Sequence, residues 1–399
     1  MGTIQECRQL ACNILQPSAR DLEHGLELHR DSFVFDAYGF TPYAGGTDGG
    51  RVDRLIRDHA GREELVFAKE DFWMNRGFEN AEMRRLLREA WEAAGVDCIF
   101  QNAGTEGNDI ENLIKRLGSY TAVVDRMSDF YERAVFPDQL EAIRSRGHKS
   151  LYFTTNGVPI SSKYISCEEA LMHIAVFFDL GVRMMHLTYN RRNLIGDGCA
   201  ETADAGLSDF GRAVIAEMNR VGVIPDVAHC GQRTSLEAAL CSRKPVVASH
   251  AVAGGLSSHY RGKSDEVIEA IRKTGGYIGI CAHPWFLQGE MNIKAFLDHV
   301  EYVARKFGAD HVAIGTDHGL WLAPFELREK TPGTRPIWEQ YWTRPGDVSG
   351  TMTQEQYDSL EWTNWPLFTV GLVQRGFSDG EIRRIIGGNV LRVCRETLA

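Results

Sequence analysis

Eight short apolar runs, most of them followed by a stretch with helical spacing, constrain the fold of this chain more than any other feature. They are residues 33–35, 96–100, 150–154, 183–187, 222–227, 246–249, 277–281 and 311–315. Runs without polar alternation are typical of parallel strands that helices cover on the outer face. The pattern therefore predicts an α/β fold, a closed (β/α)₈ barrel of the TIM type, with a doubly wound open sheet as the alternative.

The chain is expected to form one barrel domain, residues 1–399, because such barrels reach about 400 residues when they carry insertions. Two segments interrupt the β/α pattern, at about residues 53–80 and 319–366. The second is a C-terminal aromatic-rich insertion, whose tryptophans are Trp321, Trp338, Trp342, Trp362 and Trp365. We expect it to form a lid, to cover a neighbouring subunit, or to pack on its own barrel.

Composition argues against two classes of partner. The net charge of −10 gives no positive field for nucleic acid or anionic lipid. No run approaches the ~18 apolar residues of a membrane span, and the N-terminus lacks a secretory signal, so a cytoplasmic location is expected.

The nine cysteines form no paired framework, and Cys98, Cys281 and Cys394 fall inside apolar runs, which predicts buried, reduced thiols.

Polar side chains stand at the ends of the predicted strands. His229 and His250 end two consecutive runs, and Asp317 ends the last one. The carboxyl ends of barrel strands face one cup, where such barrels keep their chemistry. Two imidazoles and a carboxylate there predict a metal, and zinc fits because catalytic zinc takes about three such ligands and a water. The alternative is that each histidine makes only structural hydrogen bonds.

The same rule predicts a wider set of cup-lining side chains: Asp36, Tyr38, Gln101, Asn102, Asn156, Tyr189, Asn190, Cys281, His283 and His318. His186 is expected to point outward into the helix layer, and His259 to lie in a solvated loop. Asp36 is expected either to act as a ligand or to accept backbone hydrogen bonds. The Arg191–Arg192 pair is expected either to assist in anion binding or to be surface charge.

Several ordered motifs run along the chain. They are MMHLTYN at 184–190, GLSDFG at 206–211, EMNRVGV at 217–223, the strand ending in His229, Ser249-His250, Arg261 with Ser264-Asp265-Glu266, GTD at 315–317 and GNVLRV at 388–393. These motifs resemble the membrane (renal) dipeptidase family of metallopeptidases. The resemblance implies an amidohydrolase-like (β/α)₈ barrel that binds two zinc ions joined by a glutamate, hydrolyses dipeptides and forms a homodimer.

The resemblance assigns four roles to residues of this chain. His229 and His250 match the two strand-end histidines that bind one zinc. Asp317 matches the strand-eight aspartate that handles the proton of the metal-bound water. Arg261 matches the arginine that binds the substrate carboxylate.

Three departures from the family pattern affect the other zinc. The family opens with D-G-H-N-D, but this chain has Tyr38 and Phe40 where the two ligands stand. Its bridging glutamate, in E-G-G-H, is replaced by Asn156, and the histidine of its T-H-N motif by Tyr189. A phenol with a pKa of about 10 is neutral at pH 7, so Tyr189 offers a hydrogen bond and no charge.

The sequence therefore supports two hypotheses. The first is a dipeptidase-like hydrolase with at most one metal on His229 and His250, whose third ligand is Asp317, Asn156, His283 or Cys230. It acts on an amide bond of a small carboxylate-bearing substrate, with Arg261, Tyr189, Asn156 and Tyr38 binding the substrate. The alternative is a diverged barrel that binds a small carboxylate ligand, or performs metal-free chemistry, without any zinc.

Overall fold

The computed structural model describes residues 2–104, 107–161, 166–323 and 352–398. In this part of the chain the strands are β1 Phe35–Gly39, β2 Cys98–Asn102, β3 Tyr131–Arg133, β4 Lys149–Thr155, β5 Val182–His186, β6 Ile224–Asp226, β7 Ala248–Ala253, β8 Gly262–Lys263, β9 Ile278–Ile280 and β10 Val312–Ile314. Each of the eight predicted runs overlaps one strand, and the short strands β3 and β8 are additional.

The strands form two parallel sheets that join into one ring. The first sheet has the order β1-β2-β4-β5-β6, with β3 beside β4, and the second has the order β10-β9-β7-β8. Val227 N donates to Val247 O at 2.8 Å, which joins β6 to β7. Asp317 N donates to Tyr38 O at 2.9 Å, which joins β10 to β1. This arrangement confirms the (β/α)₈ barrel and excludes the open-sheet alternative.

Helices surround the barrel and precede or follow its strands. Their bounds are α1 Ile4–Leu15, α2 Ala19–Asp31, α3 Arg51–Arg57, α4 Arg62–Met74, α5 Ala81–Ala94, α6 Ile110–Arg126, α7 Asp138–Ser145, α8 Cys167–Asp179, α9 Asp209–Val221, α10 Gln232–Cys241, α11 Asp265–Lys273, α12 Pro284–Leu287, α13 Ile293–Phe307, α14 Gln354–Ser359, α15 Trp365–Gln374, α16 Asp379–Arg383 and α17 Asn389–Leu398. Ser208 caps α9 by accepting from Gly211 N at 2.9 Å, which satisfies a helix-terminal amide. Among these described helices, none is long and apolar enough to cross a membrane.

Side chains fill the lower interior of the barrel, so it is a packed core and not a channel. Aromatic rings from three neighbouring strands meet there: Phe35 stacks on Phe100 with ring centroids 5.3 Å apart, and Tyr152 lies 5.1 Å from Phe100. Met184, Ile224, Val247, Tyr277 and Ala313 belong to the same buried cluster. A second and larger cluster lies between the strands and the helices. The residues at the carboxyl ends of the strands therefore lie above a well-packed core.

Asp36 closes the barrel and holds two of the tryptophans in place. Its carboxylate accepts from Thr316 N at 2.9 Å and from Thr316 Oγ1 at 2.6 Å, which ties β1 to the end of β10. The indole nitrogens of Trp362 and Trp365 donate to Asp36 Oδ2 at 3.2 and 3.4 Å. Burial raises the pKa of Asp36 to about 6, although these hydrogen bonds oppose the shift. Asp36 is thus a structural acceptor, the second of the two roles expected for it.

The described part of the aromatic-rich segment packs on its own barrel. Trp362 and Trp365 are fully buried, and Trp321 lies 5.0 Å from Trp73 and 5.2 Å from Tyr43 between ring centroids. Trp338 and Trp342 lie outside the described residues. The earlier segment predicted at 53–80 contains most of α3, all of α4 and a 3₁₀ turn, Arg76–Glu79.

His29 makes the folding of the helix layer pH-dependent. Its Nε2 donates to Ala94 O at 2.9 Å, and its Nδ1 accepts from Thr369 Oγ1 at 2.8 Å. Burial lowers the pKa of His29 to about 4. The unfolded chain, with an ordinary histidine pKa of about 6.5, then binds more protons than the folded chain between pH 4 and 6.5. The contribution of neutral, buried His29 to the free energy of unfolding is therefore complete above about pH 6.5 and is lost as the pH falls toward 4.

We predict that His29→Gln flattens this dependence. The free energy of unfolding of the wild type should fall by about 2 kcal/mol more than that of the variant between pH 7 and pH 5. Urea denaturation at the two pH values measures the difference. The control is His24→Gln on the same helix, whose ring is exposed and pairs with Asp379 at 2.9 Å. Parallel pH profiles for His29→Gln and the wild type would contradict the prediction.

Candidate active site

His229 and His250 converge at the carboxyl-terminal mouth of the barrel. His229 follows β6 and His250 lies in β7, the next strand around the ring. Their Nε2 atoms are 2.8 Å apart, and both residues are buried. The two rings predicted from the sequence to share one point therefore do so.

The other nitrogen of each ring is held by a neighbouring polar group. His229 Nδ1 lies 2.6 Å from Asn190 Oδ1, and because an amide oxygen only accepts, Nδ1 carries the proton. His229 Nε2 then presents its lone pair to His250. His250 Nδ1 lies 2.8 Å from the Ser249 hydroxyl, which can either donate or accept. The 2.8 Å contact between the two Nε2 atoms therefore places the proton of His250 on its Nε2, and the Ser249 hydroxyl donates to His250 Nδ1.

Both imidazoles are held in the neutral form. Burial lowers the pKa of His229 and of His250 well below the usual histidine range, and the positive charge of Arg261 lowers both further. A histidine must be neutral to bind a metal ion. Both rings therefore present neutral nitrogens, the form in which histidine can hold a metal ion.

Backbone packing fixes the position of His250. The carbonyl of the preceding residue, Ser249, lies against Gly279 and Gly315, and a Cβ on either glycine would collide with it. The register of β7 against β9 also shifts by one residue between Ala248 and Ala251. Such shifts are common next to active sites because they re-aim a side chain.

Tyr38 lies flat against His250. Their ring centroids are 3.8 Å apart and their planes differ by 16°. The Tyr38 hydroxyl donates to Asn156 Oδ1 at 2.6 Å. The register of β1 against β2 shifts between Asp36 and Gly39, on either side of Tyr38. The phenol and the amide that replace two expected ligands are therefore hydrogen-bonded to each other.

Asp317 stands at the rim of the site with strained backbone geometry. Its φ is 53°, in the left-handed region that few residues other than glycine adopt. Its Oδ2 lies 3.9 Å from His250 Nε2 and 3.3 Å from His283 Nε2, and the Cys281 Sγ lies 4.0 Å from the same oxygen. Burial and the Asp317 charge raise the pKa of the Cys281 thiol well above its usual range. The side chains of Asp317 and His283 are 15% and 24% exposed, so solvent reaches this side of the site.

Arg261 is a buried cation with unused hydrogen-bonding capacity. Its Nη2 donates to His250 O at 2.6 Å, and the guanidinium carbon lies 5.2 Å from the ring centre of Phe286. Within the described residues, its Nε and Nη1 have no hydrogen-bond partner. Burial opposes the charge, but the thiols of Cys199 and Cys281 and the carboxylate of Asp317 raise the pKa of Arg261. Two free donors on a buried cation suit a carboxylate ligand.

Tyr189 covers His229 as Tyr38 covers His250. Its ring centroid lies 4.2 Å from that of His229, with planes 26° apart. It is followed by Asn190, whose φ of 57° is also left-handed and aims the side chain at His229. Tyr189 is partly exposed, so its phenol borders the open side of the site.

The expectation that His186 points into the helix layer is wrong. Its ring lies 5.1 Å from that of His229 and 5.2 Å from that of His250, and its Nε2 is 2.7 Å from Asp226 Oδ2. Side chains of a strand alternate, and Met184 faces the barrel interior, so the second residue after it faces inward too. Counting alternation from Met184 would have found this residue. The result is a fully buried His186–Asp226 pair beneath the two strand-end histidines.

Other residues considered from the sequence have local partners. Arg192 pairs with Asp197, and Arg191 Nη1 donates to Ala200 O at 2.9 Å, which favours the surface-charge interpretation of this pair. His318 Nε2 lies 3.4 Å from Glu361 Oε1. His259 is partly buried and its ring lies 4.5 Å from that of Phe286, so it is not fully solvated.

Comparison with known proteins gives a consistent family relationship. The family described as Membrane dipeptidase (Peptidase family M19) matches residues 28–331 of the chain. Dipeptidase tcpJ from Claviceps purpurea is 29% identical over 229 residues, which are 56% of this chain and 46% of that protein. The chain thus spans about half the length of this relative.

Solved structures extend the similarity over most of the chain. An amidohydrolase from Pseudomonas aeruginosa has a TM-score of 0.68 and 25% sequence identity, and the match covers 94% of this chain and 98% of that one. The probable dipeptidase PvdM from the same organism has a TM-score of 0.67 and 19% identity, over 95% and 98% of the two chains. The second match supports the fold alone.

We predict that Tyr38→Phe lowers the free energy of unfolding by about 1–2 kcal/mol, because it removes a buried hydrogen bond to Asn156 and keeps the ring stacked on His250. Chemical denaturation measures the change. Tyr357→Phe on α14, outside the barrel interior, is the control and should stay within about 0.5 kcal/mol of the wild type. Equal losses in the two variants would contradict the prediction.

Proposed function

Since this chain belongs to the membrane dipeptidase family, peptidase family M19, we propose that it is a metal-dependent hydrolase that cleaves an amide bond in a small, dipeptide-like substrate with a free carboxylate. One observation carries the proposal: the Nε2 atoms of His229 and His250 face each other at 2.8 Å while Asn190 and Ser249 hold the opposite nitrogens. Metal-binding histidines are oriented in this way by hydrogen bonds to their second nitrogen. We also propose a homodimer, which the resemblance implies, and a cytoplasmic location, which the sequence predicts.

The residues present fit one cation between His229 and His250. The two nitrogens need to separate only slightly, because zinc–nitrogen bonds of about 2.0–2.1 Å place tetrahedral ligands about 3.3 Å apart. The Asp317 carboxylate, 3.9 Å from His250 Nε2, would supply the third ligand. We propose zinc, because imidazole and carboxylate groups are its usual ligands.

The residues do not fit the other zinc of the family's pair. Tyr38 and Asn156 stand where the resemblance places a histidine ligand and the bridging glutamate, and they hydrogen-bond to each other at 2.6 Å. An amide cannot bridge two cations as a carboxylate does. We therefore assign no step to a second zinc at that position.

The chain's own residues supply binding, orientation and proton transfer. Arg261 binds the substrate carboxylate through Nε and Nη1, and Tyr189 donates its hydroxyl proton in a hydrogen bond to the scissile carbonyl oxygen. Asp317 accepts the proton of the attacking water as the new C–O bond forms. It returns that proton to the leaving amine nitrogen as the C–N bond breaks. A zinc ion on the histidine pair would supply Lewis-acid polarisation of the carbonyl and a more acidic water.

We predict that replacing both His229 and His250 by Ala removes zinc from this pair and lowers dipeptide hydrolysis by about 10³-fold or more, since the Lewis acid contributes several kcal/mol. Elemental analysis of purified protein and the release of free amino acids from a dipeptide panel measure the two effects. His24→Ala, on an exposed surface, is the matched control. Unchanged hydrolysis in the double variant would refute this mechanism.

We predict that Arg261→Lys raises the KM for a dipeptide by about 10–100-fold, because an ammonium cannot form the paired hydrogen bonds of a guanidinium. The same dipeptide with an amidated C-terminus should show little difference between wild type and variant. Steady-state kinetics on both substrates measures this comparison, and unchanged zinc content shows that His250 keeps its place. An equal effect on both substrates would refute the proposed carboxylate contact.

A second candidate is a barrel that binds a small carboxylate without hydrolysing it. It is favoured by the two unpartnered nitrogens of buried Arg261 and by the stacking of Tyr38 over one face of His250. Calorimetric titration with a dipeptide separates the candidates. Affinity that survives in the His229→Ala/His250→Ala variant, in a protein without hydrolytic activity, supports the binding protein over the hydrolase.

A further inference from the structure

A second group of metal-ligand side chains lies at the mouth of the barrel, on the far side of Asp317 from the histidine pair. The group consists of Cys281, His283 and Asp317, whose ligand atoms all lie within 4.8 Å of one another. His283 Nε2 is 3.3 Å from Asp317 Oδ2, and Cys281 Sγ is 4.0 Å from the same oxygen. A sulfur, a nitrogen and an oxygen ligand thus surround one point.

The fold explains this meeting. Cys281 follows β9 directly and His283 comes two residues later, while Asp317 follows β10. β9 and β10 are hydrogen-bonded parallel neighbours, so the residues that leave their carboxyl ends lie side by side. The left-handed φ of Asp317, 53°, is the local conformation in which its carboxylate lies beside Cys281 and His283.

The distances suit a cation better than an ion pair. A charge-assisted hydrogen bond between imidazolium and carboxylate is usually about 2.7–2.9 Å long, shorter than the 3.3 Å observed here. Zinc with bonds of about 2.0–2.1 Å to nitrogen and oxygen and about 2.3 Å to sulfur separates tetrahedral ligands by about 3.3–3.6 Å. The His283–Asp317 distance already has this value, and the 4.0 Å between Cys281 Sγ and Asp317 Oδ2 exceeds it by about 0.5 Å, which the thiol has to close on binding.

We propose that Cys281, His283 and Asp317 bind a divalent cation of the zinc class, in addition to the cation on His229 and His250. A thiolate and an imidazole select zinc or cobalt(II) over magnesium or calcium, which prefer oxygen ligands. Binding breaks the S–H bond of Cys281 and releases its proton to solvent, while the sulfur lone pair forms the bond to the cation. The partly exposed His283 and Asp317 give the ion access from solvent.

This site uses neither histidine of the pair, but it shares with the proposed hydrolase mechanism the carboxylate of Asp317. Asp317 Oδ2 lies 3.9 Å from His250 Nε2 and 3.3 Å from His283 Nε2. A carboxylate between two cations is the usual link in two-metal hydrolytic sites. The chain would then have a two-metal centre built from a different set of strands than the one that Tyr38 and Asn156 replace.

Cobalt(II) titration of metal-free, full-length protein tests the site, because cobalt bound to a thiolate gives an intense charge-transfer band in the near ultraviolet. We expect the wild type to show this band, and Cys281→Ser to lose it together with one equivalent of bound cobalt. Cys241→Ser on α10, which removes a half-buried thiol on the outside of the barrel, should keep the band. A wild type without the band, or an unchanged band in Cys281→Ser, would overturn the proposal.

Two further variants complete the test. His283→Gln should keep the fold and weaken cobalt binding at the thiolate site by about 100-fold or more, since loss of a ligand exceeds the loss seen for supporting residues. Unchanged affinity in this variant would overturn the proposal even if Cys281→Ser does not fold. The His229→Ala/His250→Ala variant should keep the thiolate band and lose the other cobalt. Loss of the band there would overturn the separate site, whereas an unaffected rate of hydrolysis there would refute only the proposed function.

Discussion

A single buried carboxylate, that of Asp36, closes the ring of strands on which the rest of the molecule depends. It joins the first barrel strand to the last through the amide and hydroxyl of Thr316, and it anchors Trp362 and Trp365 behind that seam. Asp317 directly follows Thr316, and its amide donates to Tyr38 O. The same closure therefore positions Tyr38 and Asp317 at the mouth of the barrel. Its energetic cost is visible in the pKa of Asp36, which burial raises in spite of its hydrogen bonds.

The barrel, and the meeting of His229 and His250 at its mouth, could be predicted from the sequence because both depend on repetition. Each β/α unit has an apolar run of its own, so eight runs identify eight strands without knowledge of long-range contacts. His229 and His250 end consecutive strands, and parallel strands bring such positions to one edge. The same logic placed Asp317 beside them, and its distance of 3.9 Å from His250 agrees with that placement.

What the sequence did not reveal depends on local changes of register and on backbone angles. Tyr38 reaches the face of His250 because β1 and β7 each shift by one residue against their neighbours, and no local pattern encodes such a shift. The inward direction of His186 follows from the alternation of side chains along β5, which places it on the same face as Met184. The approach of Asp317 to His283 and Cys281 requires a left-handed backbone that an aspartate adopts only when its surroundings impose it.

The glycines on either side of the Ser249 carbonyl have a consequence for protein engineering. Because Gly279 and Gly315 leave no space for even a methyl group, the backbone beneath His250 is held by the packing of three strands, together with the hydrogen bond from Arg261 to the His250 carbonyl. We therefore expect exchange of side chains such as Tyr38 and Asn156 to leave the backbone position of His250 unchanged. Side-chain exchange at the mouth is therefore the first route to altered chemistry in this barrel.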